Sequence, residues 1–254
     1  MTLVSTPAIV LATWRYGETS KIVRLATQDL GVQGVIAKGA VRPRSRFGAA
    51  LQVLSGGTAH VLHRDSRDLH TLTAFDLQSL PVRLTRDVGR YATGTVLAEL
   101  MLRVAPAEPH PEGFEVLRDA LRHLEDAELP LLEAVALESI WALVGALGFA
   151  PSVDRCVRDG RVLEPGEELA WSLGEGGALC ERCARGTEVA VLPPEGAAAL
   201  RRLVLLDGGP LPPLDPKHAS AHRRLVARYV RHHLGEGAPL AALDFWQQRA
   251  WAPA

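Results

Sequence analysis

The apolar residues of this chain change period at Pro81. Before it they recur about every second residue; after it they recur about every 3.6. A strand period followed by a helix period restricts the chain to an α+β fold with its strands first. Five runs carry the strand pattern: Ala8–Leu11, Lys21–Leu25, Gly34–Ala37, Thr58–Leu62 and His70–Phe75. Tyr16-Gly17-Glu18, Asp29-Leu30-Gly31, Gly56-Gly57 and the charged stretch 63–68 separate them.

Five strands with short links in about 80 residues predict a small closed β-barrel, because closure removes the edges that an open sheet leaves unpaired. The oligonucleotide-binding (OB) barrel and the SH3-like barrel both satisfy that spacing. After Pro81, Thr85–Val104, Phe114–Leu124 and the nearly all-apolar Leu131–Leu147 predict helices, the third buried in a bundle. Gly148 is its expected C-cap, and Pro151 forbids much continuation. Helical spacing returns at Glu195–Leu206, His218–Leu234 and Leu240–Gln248. Between lies a glycine-rich stretch holding all three cysteines. The expected organisation is a barrel over 1–79, a helical domain in two parts (80–150 and 194–254) and a metal-binding insert over 151–193.

The N-terminal MTLVSTPAIVLATWRYG has no basic segment ahead of its apolar run, and it reads as a first strand rather than a signal peptide. No apolar stretch is read as approaching the roughly 20 residues that span a bilayer. The expected compartment is the cytoplasm, without a membrane partner. In that reducing setting the knuckle Cys180-Glu181-Arg182-Cys183 argues for metal rather than a disulfide. Cys156 lies 24 positions before Cys180, close to the separation of the two halves of a zinc ribbon, and Asp159 stands where a second cysteine is expected. Cys156, Asp159, Cys180 and Cys183 would fill a four-ligand site and leave no open position, so the expected role of Zn2+ is structural. Metal would also hold together a segment poor in apolar area, since apparent binding free energies in zinc-finger peptides are roughly 10–16 kcal/mol. Unrelated thiols are the alternative.

Catalytic patterns are missing from the sequence. It has no G-x4-G-K-[ST] phosphate loop, no G-x-S-x-G elbow and no H-E-x-x-H. The chain is read as a binding protein, not an enzyme.

Its net charge is −1, which conceals an uneven distribution. Residues 1–79 hold nine Lys/Arg against five Asp/Glu, and the remainder nineteen against twenty-four. No acid occurs from Leu30 to Arg64, whereas ordinary surfaces mix signs. Lys38, Arg42, Arg44 and Arg46 fall on the link between the third and fourth strands, with Arg64 beyond the fourth. If the link is extended, the alternating arginines share a face. A cationic track with aromatic rings nearby is what single-stranded DNA requires. Phe47, Trp14 and Tyr16 are the candidate stacking rings, against the blander reading, favoured for the first two, of Phe47 as a loop anchor packed on the barrel and Trp14 as a core or rim residue. On a helix, Arg224, Arg228 and Arg231 would share another face, either extending the DNA track, or receiving an acidic peptide, or simply facing solvent.

With these residues assembled, the chain resembles the bacterial recombination mediators of the RecO family over essentially its whole length. The resemblance is carried by GETSKIVRLATQDLG and GVIAKGAVRPRSRFGAALQ in the first 52 residues, and by GGALCERC at 176–183. It implies an N-terminal OB fold, a helical bundle and a zinc-ribbon-like insert, in a non-enzymatic, nucleoid-associated protein. Such proteins bind single- and double-stranded DNA and anneal complementary strands. They contact the acidic C-terminal tail of single-stranded DNA-binding protein (SSB). With RecR they help load RecA in recombinational repair. The family's basic barrel residues map onto Lys38, Arg42, Arg44 and Arg46. Full ribbons in the family have cysteine where Asp159 stands. The rival reading is an OB-fold interaction scaffold with a structural zinc module that does not itself bind DNA.

Overall fold

The structure of the chain, a computed structural model, describes residues 2–64, 67–212, 214–235, 239–249 and 251. Its internal contacts divide it into two units, Met1–Glu125 and Asp126–Ala254.

In unit 1, strands β1 (Thr2–Tyr16), β2 (Ser20–Thr27), β3 (Gly31–Ala37), β4 (Gly56–His63) and β5 (Leu69–Ser79) close a barrel in the order β1-β2-β3-β5-β4. Each expected strand run lies within one of these five. β1 is far longer than its apolar run because it serves two partners. It pairs with β4 from Thr2 to Ile9 and with β2 from Ala8 to Tyr16, both antiparallel. The register slips between Val10 and Ala12, and the extra residue of such a bulge bends a strand enough to pass from one pairing to the next. Closure comes from β3 and β5, which run parallel through Gly34–Leu69, Val35–His70 and Ile36–Thr71. Alternate side chains such as Val10, Val23, Leu25, Val35, Val61 and Leu72 fill the interior.

Three helices follow in the same unit: α1 (Val82–Arg86), α2 (Val88–Val104) and α3 (Pro111–Asp126). The single helix expected over Thr85–Val104 is two. Asp87 ends α1 in an extended conformation and then caps α2 by accepting the Arg90 N–H at 2.8 Å. The Arg90 guanidinium donates to the Leu124 and Glu125 carbonyls at the end of α3. The segment after α2 docks on the β2–β3 turn: Val32 N–H donates to Pro106 O at 3.1 Å, and Gln33 Nε2 to Ala107 O at 2.8 Å. Gly31 permits this approach. Its φ is +73°, and an added Cβ would stand 2.1 Å from Glu108 O. These bonds explain why the helices up to residue 125 group with the barrel, where the sequence suggested a boundary at 79/80.

In unit 2, the apolar run expected as one helix over Leu131–Leu147 is divided. A 3-10 turn (Leu129–Leu131) leads into α4 (Leu132–Val144), and a π turn (Gly145–Phe149) ends it, with Gly148 at φ 90° as the stop. Leu129–Phe149 spans 21 residues and by length and composition alone is apolar enough to cross a bilayer. That corrects the expectation that no stretch comes near such a length. Its apolarity has another cause here: α4 packs against α6 (Pro194–Leu205) and α7 (Pro216–Leu234), and Leu137, Ile140 and Leu143 are fully buried. α8 (Ala241–Gln248) packs on α7. The insert is less irregular than its glycine content suggested. It forms a three-stranded sheet, β7-β6-β8, from β6 (Leu169–Ser172), β7 (Gly177–Leu179) and β8 (Ala190–Leu192), with the short α5 (Glu181–Ala184) after β7. Trp171 of β6 meets Trp141 of α4 and Tyr229 of α7, with ring centroids 6.5 and 5.7 Å away.

His222, on α7, is 4% exposed, and its Nδ1 has no hydrogen-bond partner among the described residues. Burial, with the nearby His218 adding to it, lowers its pKa to about 4. The unfolded value is about 6.5, so the neutral ring's contribution to stability is complete above that pH. It is lost as pH falls toward 4, by roughly 3 kcal/mol in all. Urea midpoints followed by tryptophan fluorescence should therefore fall between pH 7.5 and 4.5 in the parent and stay flatter in His222→Leu.

Candidate functional site

The link between β3 and β4 is a series of turns rather than an extended strand. Arg42 N–H donates to Gly39 O at 3.1 Å, Ser45 to Arg42 at 3.0 Å, Gly48 to Ser45 at 3.2 Å and Ala50 to Phe47 at 2.8 Å. Strand alternation therefore does not apply to Arg42, Arg44 and Arg46. They point outward for a different reason: Ala40, Phe47, Ala50 and Leu51 turn into the barrel core and leave the polar residues between them outside. Phe47 is 2% exposed, with the Arg46 guanidinium over its ring at 5.1 Å. This corrects its place as a stacking ring. It is a core anchor, and a base has no access to its face.

Two further fastenings fix the loop. Val41 N–H donates to Thr19 O at 2.9 Å, tying the link to the β1–β2 turn. At its far end Leu54 N–H donates to Val10 O at 2.7 Å, and Val10 N–H to Ser55 O at 2.9 Å. Leu54 sits at φ 70° to make that turn, a left-handed conformation costing a branched residue about 1–2 kcal/mol. Its side chain occupies the space left by Gly94 of α2, where a Cβ would lie 2.6 Å away.

Lys38, Arg42, Arg44 and Arg46 are all exposed. Among the described residues none of the four has a carboxylate at ion-pair distance. Trp14 and Tyr16, two residues apart near the end of β1, are 47% and 52% exposed. Their strand runs into the turn that holds the loop. Arg64 is exposed just past β4, and its backbone N–H donates to His70 Nδ1 at 3.3 Å.

The second basic set divides. Arg224 and Arg228 are exposed on α7 and, with His232, line a cleft of about 730 Å³ whose other wall includes Trp171, Leu173 and Val189. Arg231 does not join them. Its guanidinium is held by Asp244 at 2.6 Å and by Gln247 on α8, so its charge is already neutralised and it is not a free phosphate contact. The spacing placed it on the Arg224 face, but the approach of α8 decided where it points.

The cysteine module assembles as its spacing suggested. One donor atom from each of Cys156, Asp159, Cys180 and Cys183 lies within 4.8 Å of the others. Cys156 and Asp159 come from a tight turn closed by Gly160 N–H to Cys156 O at 2.9 Å, and Cys180 and Cys183 from the end of β7 and from α5. Asp159 Oδ2 is 3.4 Å from Cys180 Sγ and 3.5 Å from Cys183 Sγ. The Arg161 N–H and then the Cys156 thiol, with Arg182 and Cys180 adding less, hold the Asp159 carboxyl well below the usual range. Burial, then the Cys180 and Cys156 sulfurs and the Asp159 carboxylate, push the Cys183 thiol up to about 12. Burial also works against a Cys156 thiolate, but backbone N–H groups of Cys180, Asp159 and Arg158 outweigh it, and its pKa is lowered. Four soft or anionic donors crowded together fit a divalent ion of the zinc type.

Residues 1–80 match the family model described as Recombination protein O N terminal, and residues 85–241 match Recombination protein O C terminal. The chain belongs to the RecO family. It is 34% identical over 241 residues to the DNA repair protein RecO of Anaeromyxobacter sp. (strain K), covering 92% of this chain and 93% of that one. It is 32% identical over 236 residues to the DNA repair protein RecO of Nocardioides sp. (strain ATCC BAA-499 / JS614), covering 91% and 94%. Both RecO domains are thus present, and the basic loop lies in the first.

Two features of this RecO-family chain could not be read in advance. One is a cleft of about 420 Å³ in unit 1, with Leu84, Phe114 and Leu121 on its walls and Arg118 and Arg122 among its lining; its parts are scattered along the sequence. The other is a polar chain across three strands: Ser5 Oγ to His60 Nδ1 at 2.8 Å, and His60 Nε2 to Asp76 Oδ2 at 2.9 Å. It joins β1, β4 and β5 on the solvent side, as cross-strand polar pairs do; the alternation that exposed these positions was visible, but their register was not.

The Phe47 assignment has a direct check. Phe47→Ala should destabilise unit 1 by about 3–5 kcal/mol, the cost of emptying a packed aromatic site. Loss of an exposed stacking ring would leave the thermal midpoint unchanged.

Proposed function

We propose that the chain is a non-enzymatic recombination mediator of DNA repair that binds DNA through the loop between β3 and β4. The observation that carries this reading is the set of four exposed cations, Lys38, Arg42, Arg44 and Arg46, without a neutralising carboxylate among the described residues. The barrel order β1-β2-β3-β5-β4, with β1 shared between two pairings, supports an OB fold for unit 1. Trp14 and Tyr16 supply rings for stacking beside the loop, where each stacked base is worth about 1–3 kcal/mol. Phosphate is the counter-ion that such a surface attracts, in single or double strands.

Annealing follows from the same electrostatics. Two strands repel through their phosphates, and cations on both units, at the loop and at Arg224 and Arg228, can neutralise two backbones at once. Family membership supports partnership with RecR and the SSB tail, and through them with RecA. An acidic tail ending in an apolar residue needs arginines beside an apolar cleft, and the unit 1 cleft offers Arg118 and Arg122, two cations that share the single carboxylate of Asp119 at 3.3 and 3.6 Å. In the insert, Zn2+ held by Cys156, Asp159, Cys180 and Cys183 would cross-link a segment with few core residues.

Arg42, Arg44 and Arg46 changed together to Glu should abolish binding to single-stranded DNA in an anisotropy titration, while circular dichroism stays unchanged. If the four loop cations each meet a phosphate, parent affinity should fall roughly fiftyfold between 50 and 200 mM salt, from a slope of about −0.7 per contact. Parent-like binding by the triple variant would favour the interaction-scaffold reading.

For the insert, metal analysis of chain purified without chelator should return about one zinc per chain, the complement of one four-ligand site. Cys180→Ser should lower that content, and chelation should lower the thermal midpoint of unit 2.

A further inference from the structure

The donors of the candidate metal site are not equivalent. Three are thiols, whose sulfurs sit on the turn and the knuckle that deliver them. The fourth, Asp159, is a carboxylate with two oxygens, and it must offer the right one. Oδ1 accepts the Arg161 N–H at 3.1 Å. Oδ2 faces Cys180 and Cys183 and accepts from Arg182 Nη2 at 2.8 Å. Arg182 lies inside the knuckle itself, between the two cysteines.

Fold stability is a poor explanation for this ion pair. The Arg182 side chain is 78% exposed, and pairs in water contribute little. Charge and orientation explain it better. Three thiolates and a carboxylate around a divalent ion leave two excess negative charges. Arg158 is occupied elsewhere, bonding Glu175 at 2.6 Å and the Cys183 carbonyl at 3.1 Å, and Arg185 bonds Glu181 at 2.8 Å. Arg182 puts its charge on the ligand oxygen.

We propose that Arg182 is the positioning residue that makes Asp159 a metal ligand, by turning Oδ2 onto the thiols and offsetting the charge of the filled site. This rests on the metal reading above. A cysteine at 159 would need no such help, because a thiolate has one donor atom. Arg182 and Asp159 therefore act as a pair in place of a fourth cysteine.

The test is a cobalt(II) titration of the full chain, followed by its ligand-field and thiolate absorption. The chains compared are the parent, Arg182→Met, Arg182→Lys, Asp159→Cys and the double variant Asp159→Cys with Arg182→Met. Arg182→Met should weaken cobalt affinity by about 10–100-fold, the usual effect of losing a group that orients a ligand. It should also move the ligand-field band as water replaces Oδ2, and Arg182→Lys should recover part of both. In the Asp159→Cys background, Arg182→Met should cost less than about threefold, since the ligand it orients has gone. An unchanged affinity and spectrum in Arg182→Met would overturn the proposal, as would an equal loss in both backgrounds. Absence of a cobalt spectrum in the parent would overturn the metal reading itself, and the proposal with it.

Discussion

The bend in β1 between Val10 and Ala12 is the constraint on which unit 1 depends. A straight strand of that length could pair fully with β2 or with β4, but not with both around a closed barrel. Bending leaves Val10 with a backbone donor and acceptor to satisfy, and the residues just before β4 do so through Leu54 and Ser55. That attachment requires a left-handed Leu54, and the missing side chain of Gly94 makes room for it. The barrel, the end of the basic loop and the first long helix are linked through that one irregularity.

The basic loop owes its exposed charge to buried carbon. Phe47 and Leu51 sink into the barrel, and the arginines stay outside because the anchors take the inside. Such a loop keeps its cations at fixed places without a carboxylate to hold them, so the field toward a polyanion is not quenched by its own scaffold. The insert solves a different problem. Its small sheet joins the helices through the Trp141, Trp171 and Tyr229 rings, while its far end has little besides Leu179 and a few half-buried neighbours around the cysteines. Packing fastens one side, and the four candidate donors gather at the other.

The strands were legible because a barrel buries one face of each, which writes a period of two into the sequence. The helices were legible as segments, but their breaks were not: Asp87 is an ordinary polar residue until its carboxylate is seen on the Arg90 N–H. The clustering of Cys156, Asp159, Cys180 and Cys183 was readable because their spacing along the chain is set by a tight turn and a knuckle, both local. The outward set of loop cations was readable from composition, but the reason was misjudged, since a comb of alternating arginines and a string of turns have the same sequence. Phe47 and Arg231 went astray for one reason: each is decided by a neighbour distant in sequence, the barrel interior in one case and Asp244 in the other.

The contact between the β2–β3 turn and the stretch after α2 bears on where the chain can be divided. Family-level similarity ends its first segment at residue 80, yet the donors on Val32 and Gln33 find their acceptors at Pro106 and Ala107. A fragment cut at that boundary would present these groups to water and uncover the glycine face meant for Glu108. By its internal contacts this half is one compact unit to residue 125, and a cut at residue 80 passes through it.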